Sequence, residues 1–215
     1  MKLILASHNA KKLAELRGLL SGQPGLSFDI VSQSALGIAE ADEPFHSFVE
    51  NALAKARHAA LASGCAAIAD DSGLCVGALR GAPGVISAHF GGALPVLAGE
   101  ARELRRRRQD ARNNTALLAQ MQGQPDRRAH FISTLVALRH VDDPEPLVAV
   151  GRWSGVVLEA PRGEQGFGYD PLMFIPELDA TVAELDAEAK NRHSHRARAA
   201  VALRAMLVEA WHLRP

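Results

Sequence analysis

Four consecutive residues, Asp70-Asp71-Ser72-Gly73, carry the densest chemistry in this sequence. They follow Cys65-Ala66-Ala67-Ile68-Ala69, a run of small apolar residues that reads as a buried strand ending at the carboxylates. Two adjacent carboxylates repel, and a hard cation relieves the repulsion. Oxygen-only ligands suit Mg²⁺, with Mn²⁺ as a substitute, better than zinc. Ser72 can donate to an anionic oxygen, and Gly73 lets the backbone approach a ligand. An Asp-Ser-Gly run is also a common turn, so chemistry here requires groups from elsewhere. A cluster of Glu40, Asp42 and Glu43 before Pro44 holds one carboxylate that could complete a cation site with Asp70 and Asp71.

The candidate cations come from two helices. Lys2 to Ala6 reads as a strand, followed by Ser7-His8-Asn9-Ala10-Lys11-Lys12 and a helix with Leu13, Leu16, Leu19 and Leu20 at helical spacing. Ser7 or Asn9 caps that helix. Two lysines in its first turn oppose the macrodipole, and a phosphate on the backbone N–H groups there would resolve the conflict. Lys11 reads as solvated, Lys12 as functional. Ser47-Phe48-Val49-Glu50 is a capping box opening a helix to about residue 62. On it Asn51, Lys55 and His58 share one polar stripe, so Asn51 and Lys55 can face the carboxylates.

A second constellation is Gly163 to Pro171, where Gly166 and Gly168 bracket Phe167 and lead into Tyr169 and Asp170. Such glycine density lets a flat ring lie against the backbone, with Phe167 free to stack on a base. Thr181 to Glu184 is a further capping box, expected to start a helix that ends at Lys190. Ser194-His195-Arg196 then opens the last helix, buried along Ala200, Leu203, Leu207 and Trp211. His193 and His195, two apart, diverge on a helix and make a poor zinc pair.

The remaining segments set the fold class. Strands are expected at residues 27–31, 130–138 and 147–153, with a turn at Asp142 to Pro146 and a third short run at 154–159. Leu97, Ala101, Leu104, Ala111 and Leu118 suggest a long helix, whose Arg105 to Arg108 run is balanced by Glu100, Glu103 and Asp110 and reads as a solvated face. Interspersed strands and helices imply an α/β protein with a mixed sheet, one domain over residues 1–215. The formal net charge is zero, which argues against a nucleic-acid binder. No apolar run matches a membrane span, and Cys65 and Cys75 read as free thiols in a reducing compartment, so the cytoplasm is expected.

Taken together, Ser7-His8-Asn9-x-x-Lys12, Phe48-x-Glu50-Asn51-Ala52-x-x-Lys55, Ala69-Asp70-Asp71-Ser72-Gly73-Leu74, Gly166-Phe167-Gly168-Tyr169-Asp170-Pro171 and Ser194-His195-Arg196 resemble the inosine/xanthosine triphosphate pyrophosphatase family. The resemblance runs from residue 2 to about residue 205. It implies an elongated mixed sheet flanked by helices, two lobes around a nucleotide cleft, a Mg²⁺-dependent homodimer, and hydrolysis of ITP, dITP or XTP to the monophosphate and pyrophosphate. Asp71 would then be general base and metal ligand, with Glu43 the second carboxylate. Ser7, His8, Asn9, Ala10, Lys11, Lys12, Ser72 and Lys190 would hold phosphates. Phe167, Gly168, Tyr169, Asp170, His195 and Arg196 would hold the base. Donors such as Arg196 would pair with the six-oxygen of inosine or xanthosine and leave adenosine's amino group unmatched. The chain departs from the family pattern at His8, where glycine is frequent, and at His89, where arginine is common. Two other readings fit the same motifs: a septum-formation-inhibitor-type pyrophosphatase acting on pyrimidine or modified nucleotides, and a nucleotide-binding protein without turnover.

Overall fold

The computed structural model describes residues 2–21, 28–97 and 99–212. Seven strands form one mixed sheet: β1 (Lys2–Leu5), β2 (Asp29–Ser32), β3 (Ala66–Val76), β4 (Arg128–Leu138), β5 (Leu147–Val157), β6 (Met173–Ile175) and β7 (Ala180–Thr181), in the order β2-β1-β3-β4-β5-β6-β7. β1 runs parallel to both β2 and β3, whereas β5/β6 and β6/β7 are antiparallel. Among the described residues five α-helices flank the sheet: α1 (Ala10–Ser21), α2 (Phe48–Ser63), α3 (Arg102–Gln120), α4 (Ala187–His193) and α5 (His195–Ala210). The strand expected at 27–31 is seen as β2, and Ser27 lies outside the described residues.

The chain divides into two compact units, Met1–Ser72 with Ser133–Arg152 and Asn191–Pro215, and Gly73–Ile132 with Trp153–Lys190. In the first, strand alternation sorts the core onto two faces. Leu3, Leu5, Ile68 and Leu135 pack with Leu16 and Leu20 of α1 and Leu203 and Leu207 of α5. Ile4, Ala6, Ala67, Ala69 and Val136 pack with Ala52, Ala56, Ala59 and Ala60 of α2. The alanine stripe on α2 lets helix and sheet approach closely. Ser47 accepts from the Glu50 N–H to start that helix, and Gly64, at φ +65°, ends it. In the second unit Leu74, Val76, Phe131, Trp153 and Val157 pack with Leu117 of α3, Met121 just beyond it, and Tyr169.

Four expectations need correction. β3 does not stop at Asp70 but runs on to Val76, because buried partners neutralise its charged positions. β5 continues unbroken through Gly155, which absorbs the separate run expected at 154–159; a Cβ at Gly155 would fall 2.3 Å from the Phe174 carbonyl oxygen. The Thr181 capping box exists but closes only a 3₁₀ turn, Val182–Glu184. Leu185 is extended (ψ 145°), and α4 starts after it, with Asp186 accepting from the Ala189 N–H at 2.7 Å. On α3, Leu104 is exposed while Gln109, Asn113 and Leu117 are buried, so the helix turns a polar stripe inward. Arg107 and Arg108 pair with Glu103 and Glu100, in keeping with a solvated face.

The β4–β5 connection is held by Asp143, which accepts from the Arg139 N–H (2.8 Å), the Arg139 guanidinium (2.8 and 2.9 Å) and the Glu145 N–H (3.0 Å). Arg139 holds the Asp143 carboxyl well below the usual carboxylate range. Asp143→Ala is expected to lower stability by about 1–2 kcal/mol, read as a lower urea midpoint with unchanged slope.

Candidate active site

Asp70 and Asp71 are neighbours on β3, so their side chains leave opposite faces of the sheet. Each continues the face set by the alanines and isoleucine before it. Asp70 follows Ile68 toward α1 and α5; Asp71 follows Ala67 and Ala69 toward α2. They therefore meet different cations and do different things.

Asp70 is buried and fully engaged. It receives Lys12 Nζ at 2.9 Å, the Arg196 guanidinium at 3.2 and 3.3 Å, Ser133 Oγ at 2.7 Å and Ser72 Oγ at 3.2 Å. Burial alone would raise its pKa, but Lys12 and Arg196 outweigh burial and hold the carboxyl far below the ordinary range. Arg196, 1% exposed, also pairs with Glu15 and donates to Ser72 Oγ at 3.1 Å. Burial lowers the Lys12 pKa, and Asp70 opposes the fall only in part. With its lone pairs engaged in this way, Asp70 is the electrostatic anchor of the first unit. Arg196 is bound into the same anchor. His195, beside it, is buried at the start of α5, where Ser194 Oγ caps the helix by accepting from the Ala197 N–H.

Asp71 is different. Its Oδ1 receives Lys55 Nζ at 2.7 Å, while its Oδ2 is buried with no hydrogen-bond partner among the described residues. Burial pushes this carboxyl up against the pull of Lys55. Lys55 in turn reaches Glu43 at 3.4 Å; burial disfavours its ammonium, but Asp71 and Glu43 prevail and raise its pKa. A carboxylate that is buried, raised in pKa and short of one donor is suited to hold a cation or take a proton. No group of three or more His, Cys, Asp or Glu among the described residues could hold a metal ion. Asp71 and Glu43 are the two carboxylates that meet at Lys55. That fits Mg²⁺, which is commonly held by one or two carboxylates and keeps water and phosphate oxygens for its other positions.

The loop bearing Glu43 is positioned from three sides. Asn51, placed by its stripe to face the carboxylates, clamps Phe45 with its side-chain amide, accepting its N–H at 3.0 Å and donating to its carbonyl at 3.2 Å. His58 Nε2 lies 3.0 Å from the Ala39 carbonyl, and His8 Nε2 lies 2.8 Å from the Ile38 carbonyl. A carbonyl only accepts, so both rings carry their proton on Nε2. Asn9 caps α1 by accepting from the N–H groups of Lys11 (3.0 Å) and Lys12 (3.3 Å), and Ser7 Oγ accepts from the Asn9 N–H. Those N–H groups are thereby satisfied within the protein, and Lys12 finds its anion in Asp70. Ala10 begins the helix.

The glycine-rich segment lies in the second unit. Asp170 Oδ2 accepts from the Phe167 N–H at 2.9 Å and from Lys190 Nζ at 2.8 Å. Lys190 stands 4.6 Å from the Phe167 ring centroid, a cation–π contact. The structure thus groups Lys190 with the aromatic segment. A Cβ at Gly166 would fall 2.0 Å from Asp170 Oδ2, so only glycine fits there. Tyr169 is buried, and its hydroxyl donates to the Ser87 carbonyl at 2.9 Å. Sequence reasoning missed Gln109, Asp110, Asn113 and Asn114 of α3, which bond the loops on either side of that tyrosine. The available signal was the polar spacing itself, two pairs one turn apart.

Comparison with known proteins is consistent throughout. A sequence model of the Ham1 family matches residues 3–206. A dITP/XTP pyrophosphatase of Methylibium petroleiphilum is 62% identical over 98% of this chain and 99% of its own length. One of Leptothrix cholodnii is 63% identical over 99% and 100%. The solved structure of a HAM1 protein from Coxiella burnetii superposes with a TM-score of 0.83 at 37% identity, covering 97% of this chain and 99% of that one.

Proposed function

This chain belongs to the Ham1 family, and we propose that it removes noncanonical purine nucleotides, hydrolysing ITP, dITP and XTP to the monophosphate and pyrophosphate. The observation that carries the reading is Asp71: a buried carboxylate with one unpartnered oxygen, held by Lys55 beside Glu43. A divalent ion, Mg²⁺ with Mn²⁺ as substitute, would be held by Asp71 and Glu43, and when bound would acidify water and neutralise phosphate charge. Asp71 accepts the proton of the attacking water, its Oδ2 having no other hydrogen-bond partner among the described residues. Lys55 and Lys12 offset charge that builds on the triphosphate, with the loop from Ser7 to Lys12 lying against it. Phe167 stacks on the purine, backed by Lys190 and Asp170. The working assembly is a homodimer in the cytoplasm; among the described residues, no helix is long and apolar enough to cross a membrane.

A panel of dITP, ITP, XTP, dATP, dGTP, dCTP and dTTP assayed for pyrophosphate release with Mg²⁺ tests this. The noncanonical purines dITP, ITP and XTP should lead over dATP and dGTP, each giving monophosphate and pyrophosphate in equal amounts. A preference for pyrimidines would favour the septum-formation-inhibitor type. Binding of dITP with no product at any cation concentration would leave a protein without turnover.

A further inference from the structure

Both peptide groups of Gly168 are held by one helix. Its N–H donates to Asp110 Oδ2 at 2.9 Å, and its carbonyl accepts from Asn114 Nδ2 at 3.0 Å. Asp110 and Asn114 stand one turn apart on α3 and so face the same way. We propose that these two residues are positioning residues that set the orientation of Phe167 and thereby the affinity for the purine. The proposal rests on the reading of Phe167 as the surface on which the purine stacks.

The physical argument concerns the joint next to the ring. Gly168 sits at φ +63° with open space around it, so it is the one place beside Phe167 where the backbone has glycine's full freedom. The two peptide planes that meet at its Cα are the ones bonded by Asp110 and Asn114, which fixes both of its torsions. On the other side of the ring, the Phe167 N–H is held by Asp170, and Gly166 is pressed against the same carboxylate. Lys190, anchored on Asp170, holds the ring itself. Phe167 is therefore constrained before any ligand arrives, and a preordered surface binds without an ordering cost. The support is firm: α3 is tied into the core through Leu117. Polarity also matters. Asp110 must accept and Asn114 must donate, so the two positions are not interchangeable.

A base held equally in the ground and transition states affects KM and leaves kcat alone. Asp110→Ala and Asn114→Ala should each raise KM for dITP about tenfold, with kcat within about twofold of the parent. Asp110→Asn keeps an acceptor oxygen and should stay within about threefold. Asn114→Asp sets a carboxylate against a carbonyl and should be at least as harmful as alanine. A fall in kcat at constant KM, the signature of lost folded enzyme, would overturn the proposal, as would an Asp110→Asn variant no better than alanine. Phe167→Ala separates the two levels. If it raises KM while the alanine variants of α3 do not, the positioning role alone is wrong; if it leaves KM unchanged, the stacking role fails first.

Discussion

Asp70→Ala is expected to destabilise the protein by about 3–5 kcal/mol, the usual cost of breaking a buried ion pair from one side. The variant leaves Arg196, 1% exposed, with Glu15 as its remaining carboxylate among the contacts described, and strips Lys12 of its 2.9 Å partner. Ser133, wholly buried, loses its acceptor as well. Urea denaturation of parent and variant measures the loss. Its pH dependence has a definite sign. The Asp70 carboxyl is held below its unfolded value, so its contribution is complete above the unfolded pKa of about 4 and fades as pH falls below it. The gap between parent and variant should narrow in acid. A gap that widened in acid would refute the anchor role.

Asp71→Asn should lower kcat/KM for dITP by at least about 10²-fold, since an amide neither accepts the proton of water nor holds a divalent ion as a carboxylate does. The same substitution leaves the shape of the site nearly unchanged and keeps an oxygen for Lys55. Its thermal midpoint should lie much closer to that of the parent than the midpoint of Asp70→Ala. The contrast between the two neighbours is the useful feature: in the proposed reading one carboxylate maintains the fold and the other performs the reaction. Turnover within about tenfold of the parent, across a range of Mg²⁺, would remove Asp71 from the chemistry.

The fold class was legible because the periodic signals were strong. The leucine stripe of α1 and the Ser47 cap of α2 both formed where the pattern placed them. Asp70 and Asp71 stood out as chemistry, but their division of labour did not. It depends on Arg196, 126 positions away in the chain, and on strand alternation continuing through charged residues, where an apolar run appears to stop. The partners of Arg196, Asp70 and Glu15, were hidden for the same reason: they lie far off in sequence. α3 failed differently. Hydrophobic spacing pointed to Leu97 and Leu104, yet both are exposed, because the loops beside the helix need hydrogen-bond partners and Gln109 and Asn113 supply them inside. Lys190 carried no sequence mark tying it to Phe167; only the interrupted helix after Leu185 brings it there.

Mn²⁺ binding followed by electron paramagnetic resonance, in the presence of a dITP analogue with a methylene bridge between its α and β phosphates, reaches the reactive carboxylate directly. The parent should bind the ion with the analogue, Asp70→Asn should do so wherever it is folded, and Asp71→Asn should lose that ion. Equal Mn²⁺ binding by the parent and Asp71→Asn would contradict the assignment of the unpartnered Asp71 oxygen to the cation.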